Sequence, residues 1–99
     1  MGGWVYILSS APYGTLYVGV TNDISRRAFE HREGVGSAFC KKYGVNQLVY
    51  SAPFEDIQNA IHREKRLKKW PRAWKIKLIE AANPRWDDLY ETLLDWGPL

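Results

Sequence analysis

The sequence predicts an α+β fold: a small three-stranded antiparallel sheet flanked by helices. Three observations lead there. Residues 4–8 (Trp-Val-Tyr-Ile-Leu) and 15–20 (Thr-Leu-Tyr-Val-Gly-Val) are rich in β-formers, and the turn chemistry of Ala11-Pro12-Tyr13-Gly14 between them makes a hairpin. A third β-rich run, with Leu48, Val49 and Tyr50 at its centre, spans Gln47–Phe54. The remainder reads as helices with recognisable starts and stops, and few strands followed by helices on one side belong to this class.

The elements follow in order. Thr21-Asn22-Asp23 offers side-chain caps for a helix running to about residue 33, ended by Gly34 and Gly36. A short helical piece near residues 39–43 stops at Gly44. Asp56 can cap a long helix through residue 70, and Pro71 suits the first position of the next helix, which reaches about residue 82. Asn83-Pro84 breaks that helix, and a short one at about residues 86–94 closes the core with Trp86, Leu89, Tyr90 and Leu93 as its apolar stripe, a dimer contact being the lesser alternative. Residues 1–99 are therefore expected to form a single domain.

Composition bounds the function. The 99 residues are 45% apolar and 25% charged, a globular balance, and the five Trp and six Tyr let so short a chain close a core. Cys40 is alone, which excludes a disulfide framework and a thiolate zinc site. His31 and His62 are not spaced as a ligand pair. The apolar run at 4–8 is too short for a membrane span and lacks the basic lead of a signal peptide, and Tyr6 breaks the myristoylation pattern. A cytoplasmic protein without membrane contact is the expectation.

The net charge is only +3, yet it is concentrated. Residues 62–77 contain Arg63, Lys65, Arg66, Lys68, Lys69, Arg72, Lys75 and Lys77, opposed by Glu64 alone. Such a band reads as a phosphate-facing surface, against the plainer alternative of a solvated helix face. Trp70 and Trp74, four residues apart, are expected to pack against the sheet, with a base-stacking platform as the alternative.

Polar residues also fall where core residues belong. Ile24, Arg27, Ala28 and His31 make one stripe of the first helix, and Ile57, Ala60, Ile61, Glu64 and Leu67 one face of the long helix. Tyr6 and Tyr17, on paired strands, can present hydroxyls to the same side. Singly, each has a structural explanation: an Arg snorkelling at the core edge, a Glu–Arg27 ion pair, core tyrosines with satisfied hydroxyls. Together they suggest a functional site, because unpaired buried polar groups cost roughly 1–3 kcal/mol each.

Trp4-Val5-Tyr6 and Tyr17-Val18-Gly19 resemble the two signature tripeptides of the GIY-YIG nuclease superfamily. Arg27 follows on the next helix as in that family's second motif. His31 stands where the family has His or Tyr, Glu64 where it has its acidic metal ligand, and Asn83 where an Asn closes the pattern. The resemblance reaches about Tyr90 and is closest to small stand-alone bacterial members. Trp4 replaces the first Gly, and Val20 stands where some repair-type relatives carry Lys.

The resemblance implies a divalent-metal-dependent endonuclease that hydrolyses phosphodiester bonds, DNA more than RNA, selective for structure or single strands, in repair or processing. It implies one Mg²⁺ or Mn²⁺ on Glu64, Tyr6 handling the nucleophilic water with His31 as proton acceptor, and Arg27 and Tyr17 on the phosphate. Lys65, Lys68, Lys69 and Arg72 would hold the flanking backbone, and Asn83 would play a supporting part. A monomer or weak dimer is expected, with a protein partner that could supply specificity. The alternatives are a catalytically weak nucleic-acid-binding module and a protein-interaction domain.

Overall fold

The computed structural model describes residues 2–95. Three strands, β1 (Gly3–Ser9), β2 (Leu16–Thr21) and β3 (Gln47–Phe54), form one antiparallel sheet in the order β2-β1-β3. Around it lie five helices: α1 (Ile24–Arg32), α2 (Ala38–Tyr43), α3 (Ile57–Lys69), α4 (Arg72–Ala82) and α5 (Tyr90–Asp95). The α+β class is as the sequence predicts.

The helix boundaries follow local chemistry. Asp23, Ser37 and Asp56 sit in extended conformation and accept hydrogen bonds from the amides of Arg26, Cys40 and Gln58, so each caps an N-terminus. Gly44 ends α2 in the left-handed region at φ 65°. Trp70 ends α3, because the residue before Pro71 is driven to extended backbone.

Helices cover both faces of the sheet rather than one. β1 is central and buried on both sides: Val5, Ile7 and Val18 pack with Ala60 and Leu67 of α3 and Ile79 of α4. On the other face Tyr6 and Leu8 pack with Ile24 and Ala28 of α1 and Cys40 of α2. Each fully buried Ile or Leu contributes roughly 1.5–3 kcal/mol. A register shift between Ile7 and Leu8 makes Val49 the extra residue of β3, so Tyr50 and Val49 share the Ile7 face while Leu48 joins Leu8 on the other.

Two expectations are corrected. The final helix begins at Tyr90, not residue 86, because Trp86 has φ 58°, a left-handed conformation that no helix continues through. Its indole is buried at the turn and donates to Glu80 Oε2 at 3.1 Å. Leu89 and Tyr90 do pack on the Tyr6 face, while the Leu93 side chain lies outside the described residues. Trp74 does not pack on the sheet: it is 55% exposed, because α4 turns only Ile79 fully inward. No helix among the described residues is long and apolar enough to cross a membrane.

Candidate active site

The strand register assembles the aromatic centre. Tyr6 pairs with Gly19 and Leu8 with Tyr17, so the two tyrosines are diagonal neighbours on one face, with ring centroids 6.4 Å apart. His31, on the buried stripe of α1, completes a triangle at 5.8 Å from Tyr6 and 5.7 Å from Tyr17. Two glycines make this triangle possible. A Cβ on Gly19 would collide with the Tyr6 hydroxyl, and one on Gly36 would stand 2.7 Å from His31 Nδ1. The sequence marks Gly19 only as part of a tripeptide and Gly36 only as a helix stop; both are clearance for a ring.

The Tyr6 hydroxyl lies 3.3 Å from His31 Nε2. Burial pushes the Tyr6 phenol well above its ordinary value, with the neighbouring Tyr17 adding to the rise and the Arg27 cation opposing it. Cys40 and Glu64 raise it further. Burial likewise holds His31 below its usual value, helped by Arg27 and resisted by Glu30. His31 is therefore a neutral imidazole at physiological pH, able to take a proton at Nε2 when Nδ1 carries its own. Nδ1 is buried and has no hydrogen-bond partner among the described residues. Such an orphan inside a well-packed domain is a feature of working sites more than of scaffolding.

Arg27 stands beside this triangle, half exposed, with Nη1 3.4 Å from Glu30 Oε1. Arg26 meets the other oxygen of Glu30 at 3.5 Å. With Thr21, Asn22 and Asp23 these three residues line a polar hollow of about 180 Å³. Glu64 is buried on the inward face of α3, as its helical position requires, but its partner is Lys68 Nζ at 2.7 Å rather than Arg27.

The donor set fits a hydrated hard cation and nothing more demanding. Among the described residues no three His, Cys, Asp or Glu side chains converge on one point. Glu64 alone already holds a positive charge, the Lys68 ammonium, at the mouth of its buried carboxylate. Mg²⁺ keeps most of its waters and asks for one or two carboxylates plus substrate oxygens, so a single Glu suits it.

The remaining sequence candidates divide. Lys65 and Lys69 are exposed on α3, as a backbone-holding role needs. Lys68 is engaged with Glu64. Arg72 donates through Nη2 to the carbonyls of Tyr13 and Gly14, at 2.6 and 2.7 Å, and so clamps the β1–β2 turn. Asn83 is buried and its amide is committed to the main chain. Nδ2 donates to Val49 O at 3.1 Å and Asp87 O at 2.9 Å, and Oδ1 accepts from the Asp87 amide at 3.0 Å. It stitches the end of α4 to β3 and stands outside the tyrosine–histidine triangle.

Paired tyrosines, a helix arginine and one inward carboxylate are thus set on a three-stranded α+β scaffold. The chain matches the GIY-YIG catalytic domain over residues 2–77 and belongs to that family, whose members are generally endonucleases. It is 32% identical over 90 residues to a UPF0213 protein of Enterobacter sp. strain 638, covering 91% of this chain and 87% of that one. A UPF0213 protein of Staphylococcus saprophyticus is 36% identical over 79 residues, covering 80% and 95% respectively. The solution NMR structure of a UPF0213 protein from Bacillus halodurans superimposes with a TM-score of 0.56 at 28% identity, over 89% of this chain and 93% of that one.

Proposed function

We propose that the chain is a single-domain, divalent-metal-dependent endonuclease that hydrolyses phosphodiester bonds in cytoplasmic DNA, during repair or processing. The observation that carries this is the buried contact between the Tyr6 hydroxyl and His31 Nε2, the other ring nitrogen having no partner among the described residues.

In the proposed reaction a water oxygen forms a new bond to phosphorus as the bond to the leaving ester oxygen breaks, and that oxygen takes a proton from solvent. The water proton passes to the Tyr6 oxygen as Tyr6 hands its own proton to His31 Nε2. This concerted transfer answers the raised Tyr6 value, because no free phenolate has to accumulate in a buried site. At 3.3 Å the Tyr6–His31 contact is long, and such contacts tighten when substrate arrives. Arg27 turns from Glu30 to the non-bridging phosphate oxygens, and Tyr17 donates a further hydrogen bond. Glu64 would hold Mg²⁺ or Mn²⁺ once Lys68 has swung away, and the bound ion supplies charge stabilisation at the phosphate and the leaving oxygen. Lys68 then joins Lys65 and Lys69 along the substrate backbone.

A second possibility is a nucleic-acid-binding module with little catalysis; the strongly raised Tyr6 value favours it, since a buried phenol alone is a poor base. One experiment separates the two. Labelled single-stranded, duplex, flap and branched DNA, with matching RNA, are incubated with Mg²⁺, Mn²⁺ or EDTA. Wild type is compared with Glu64→Ala and Tyr6→Phe. The nuclease predicts metal-dependent cutting that both substitutions abolish. Salt-sensitive binding without cutting by any form would leave the binding module.

A further inference from the structure

Where α3 passes into α4, a shallow open groove of about 470 Å³ is lined by Trp70, Trp74, Lys77 and Leu78. None of these residues has a part in the hydrolysis. Trp70 and Trp74 meet edge to face, with centroids 5.7 Å apart and planes at 79°. Trp70 is packed against the core from below, and the Arg63 guanidinium lies 4.7 Å from its ring centroid. Trp74 meets the Trp70 ring and is 55% exposed. An indole so presented on a helix that could have used Lys or Glu at the same place is an unpartnered flat apolar surface, held in one orientation by the ring beneath it.

The charge around the groove identifies what lies on it. Lys77 lines it, the Arg63 guanidinium packs on the Trp70 ring that forms one of its walls, and among the described residues no carboxylate lines it. A second copy of the chain would bring the same cations face to face, and a basic or neutral peptide would gain nothing from them. A polyanion with exposed aromatic faces suits both features. Duplex nucleic acid hides its base faces in the stack, so the ligand that fits is single-stranded. We infer that Trp74, braced by Trp70, is a base-stacking platform for single-stranded nucleic acid, with Lys77 taking a neighbouring phosphate. This rests on the proposed function only for the ligand being nucleic acid, and it gives that function a preference for unpaired strands or flaps.

The test is binding in EDTA, where no cleavage intervenes. A labelled 12-nucleotide oligo-dT and a 12-base-pair duplex are titrated with the full chain, followed by anisotropy and by tryptophan quenching. Trp74→Ala is expected to weaken the single strand by roughly 5- to 150-fold, the value of one stacked base, while duplex binding changes less than about twofold. Trp74→Phe, which keeps a π face, should recover most of the loss, and Lys77→Ala should reduce the salt slope by about 0.7. Unchanged single-strand affinity in Trp74→Ala overturns the platform, as does an equal loss on both ligands. Concentration-dependent self-association that Trp74→Ala removes would assign the groove to a second copy instead. Trp74-dependent binding without cleavage by wild type would defeat the nuclease and leave the platform standing. Cleavage with Trp74-independent binding would do the reverse.

Discussion

Two tyrosines of this chain, Tyr6 and Tyr13, each place a hydroxyl against a hydrogen-bonding partner, and they do so in opposite styles. At Tyr13 everything is paired. Its hydroxyl donates to Glu80 Oε2, which also receives the Trp86 indole N–H, while Arg72 holds the Tyr13 and Gly14 carbonyls. The Tyr13 ring stacks on Trp86 at 5.0 Å, and the hydrogen bonds from Tyr13 and Trp86 draw the Glu80 carboxyl below its ordinary value. At Tyr6 the contact is long, the partner is a neutral histidine with an unpaired nitrogen, and burial opposes every charge. The first cluster runs from the exposed Tyr13 to the buried Trp86, is satisfied, and fastens the hairpin turn to α4. The second is buried, and its His31 Nδ1 has no partner among the described residues. The difference lies in pairing: the hydroxyl of Tyr13 meets a carboxylate that a second donor also satisfies, whereas the hydroxyl of Tyr6 meets a ring whose other nitrogen has no partner among the described residues.

The sharpest way to break that contrast is at Arg27. Arg27→Ala removes a half-exposed side chain whose one ion pair is on the surface, so thermal unfolding should move little. Cleavage of the preferred DNA should fall about 100- to 1000-fold, the usual effect of losing one transition-state donor. Asn83→Ala should behave in the opposite sense. It leaves the Val49 carbonyl and the Asp87 main chain unpaired near the core, so urea unfolding should report a loss of about 2 kcal/mol. Its cleavage rate per folded molecule should stay near wild type.

Those two residues also mark how far sequence goes. Arg27 and Asn83 both matched a family pattern, and only the structure separates them, because a match carries no information about where an amide's hydrogen bonds end. Local features were legible: Asp23, Asp56 and Gly44 cap where short-range chemistry says they should, and the alternation along β1 paired Tyr6 with Tyr17 on one face. The inward position of Glu64 followed from helical period, but its partner did not. Lys68 at i+4 and the surface residue Arg27 both have the right charge, and only tertiary placement chooses. Trp86 escaped because a non-glycine residue at positive φ has no sequence signal. Trp74 escaped because an aromatic residue at helical spacing reads as core whether or not the sheet reaches it.

Smaller effects sharpen the same division. Four phosphate contacts from Lys65, Lys68, Lys69 and Arg72 would give a duplex-binding slope of log K against log salt near −3.6. With Lys68 on Glu64 and Arg72 on the hairpin turn, the metal-free protein should show a slope nearer −1.8, measured by titration in EDTA. Arg72→Ala should lower the melting temperature while leaving that slope unchanged.

The smallest expected effect is a pH dependence. His31 binds its proton more weakly when folded than the ordinary histidine value of about 6.5. Below that value the unfolded chain takes up a proton that the folded chain resists, so stability declines as pH falls through this window. His31→Gln should flatten the decline between pH 7 and 5 in urea titrations. The acid limb of cleavage, which reports protonation of His31, should lie below 6.5 in wild type.

The segment after α4 has a consequence for solubility. β3 is an outer strand of the sheet, and an outer strand offers bare amides and carbonyls to any passing chain. Here the Leu89 amide donates to the Leu48 carbonyl at 2.7 Å, and Asp88 Oδ1 accepts from the Leu48 amide at 3.2 Å. Asp88 is held in turn by Arg32 at 3.1 Å. Residues 88 and 89 therefore sit on that border like a stitch in a selvedge, closing it at Leu48 to the pairing from which fibres grow.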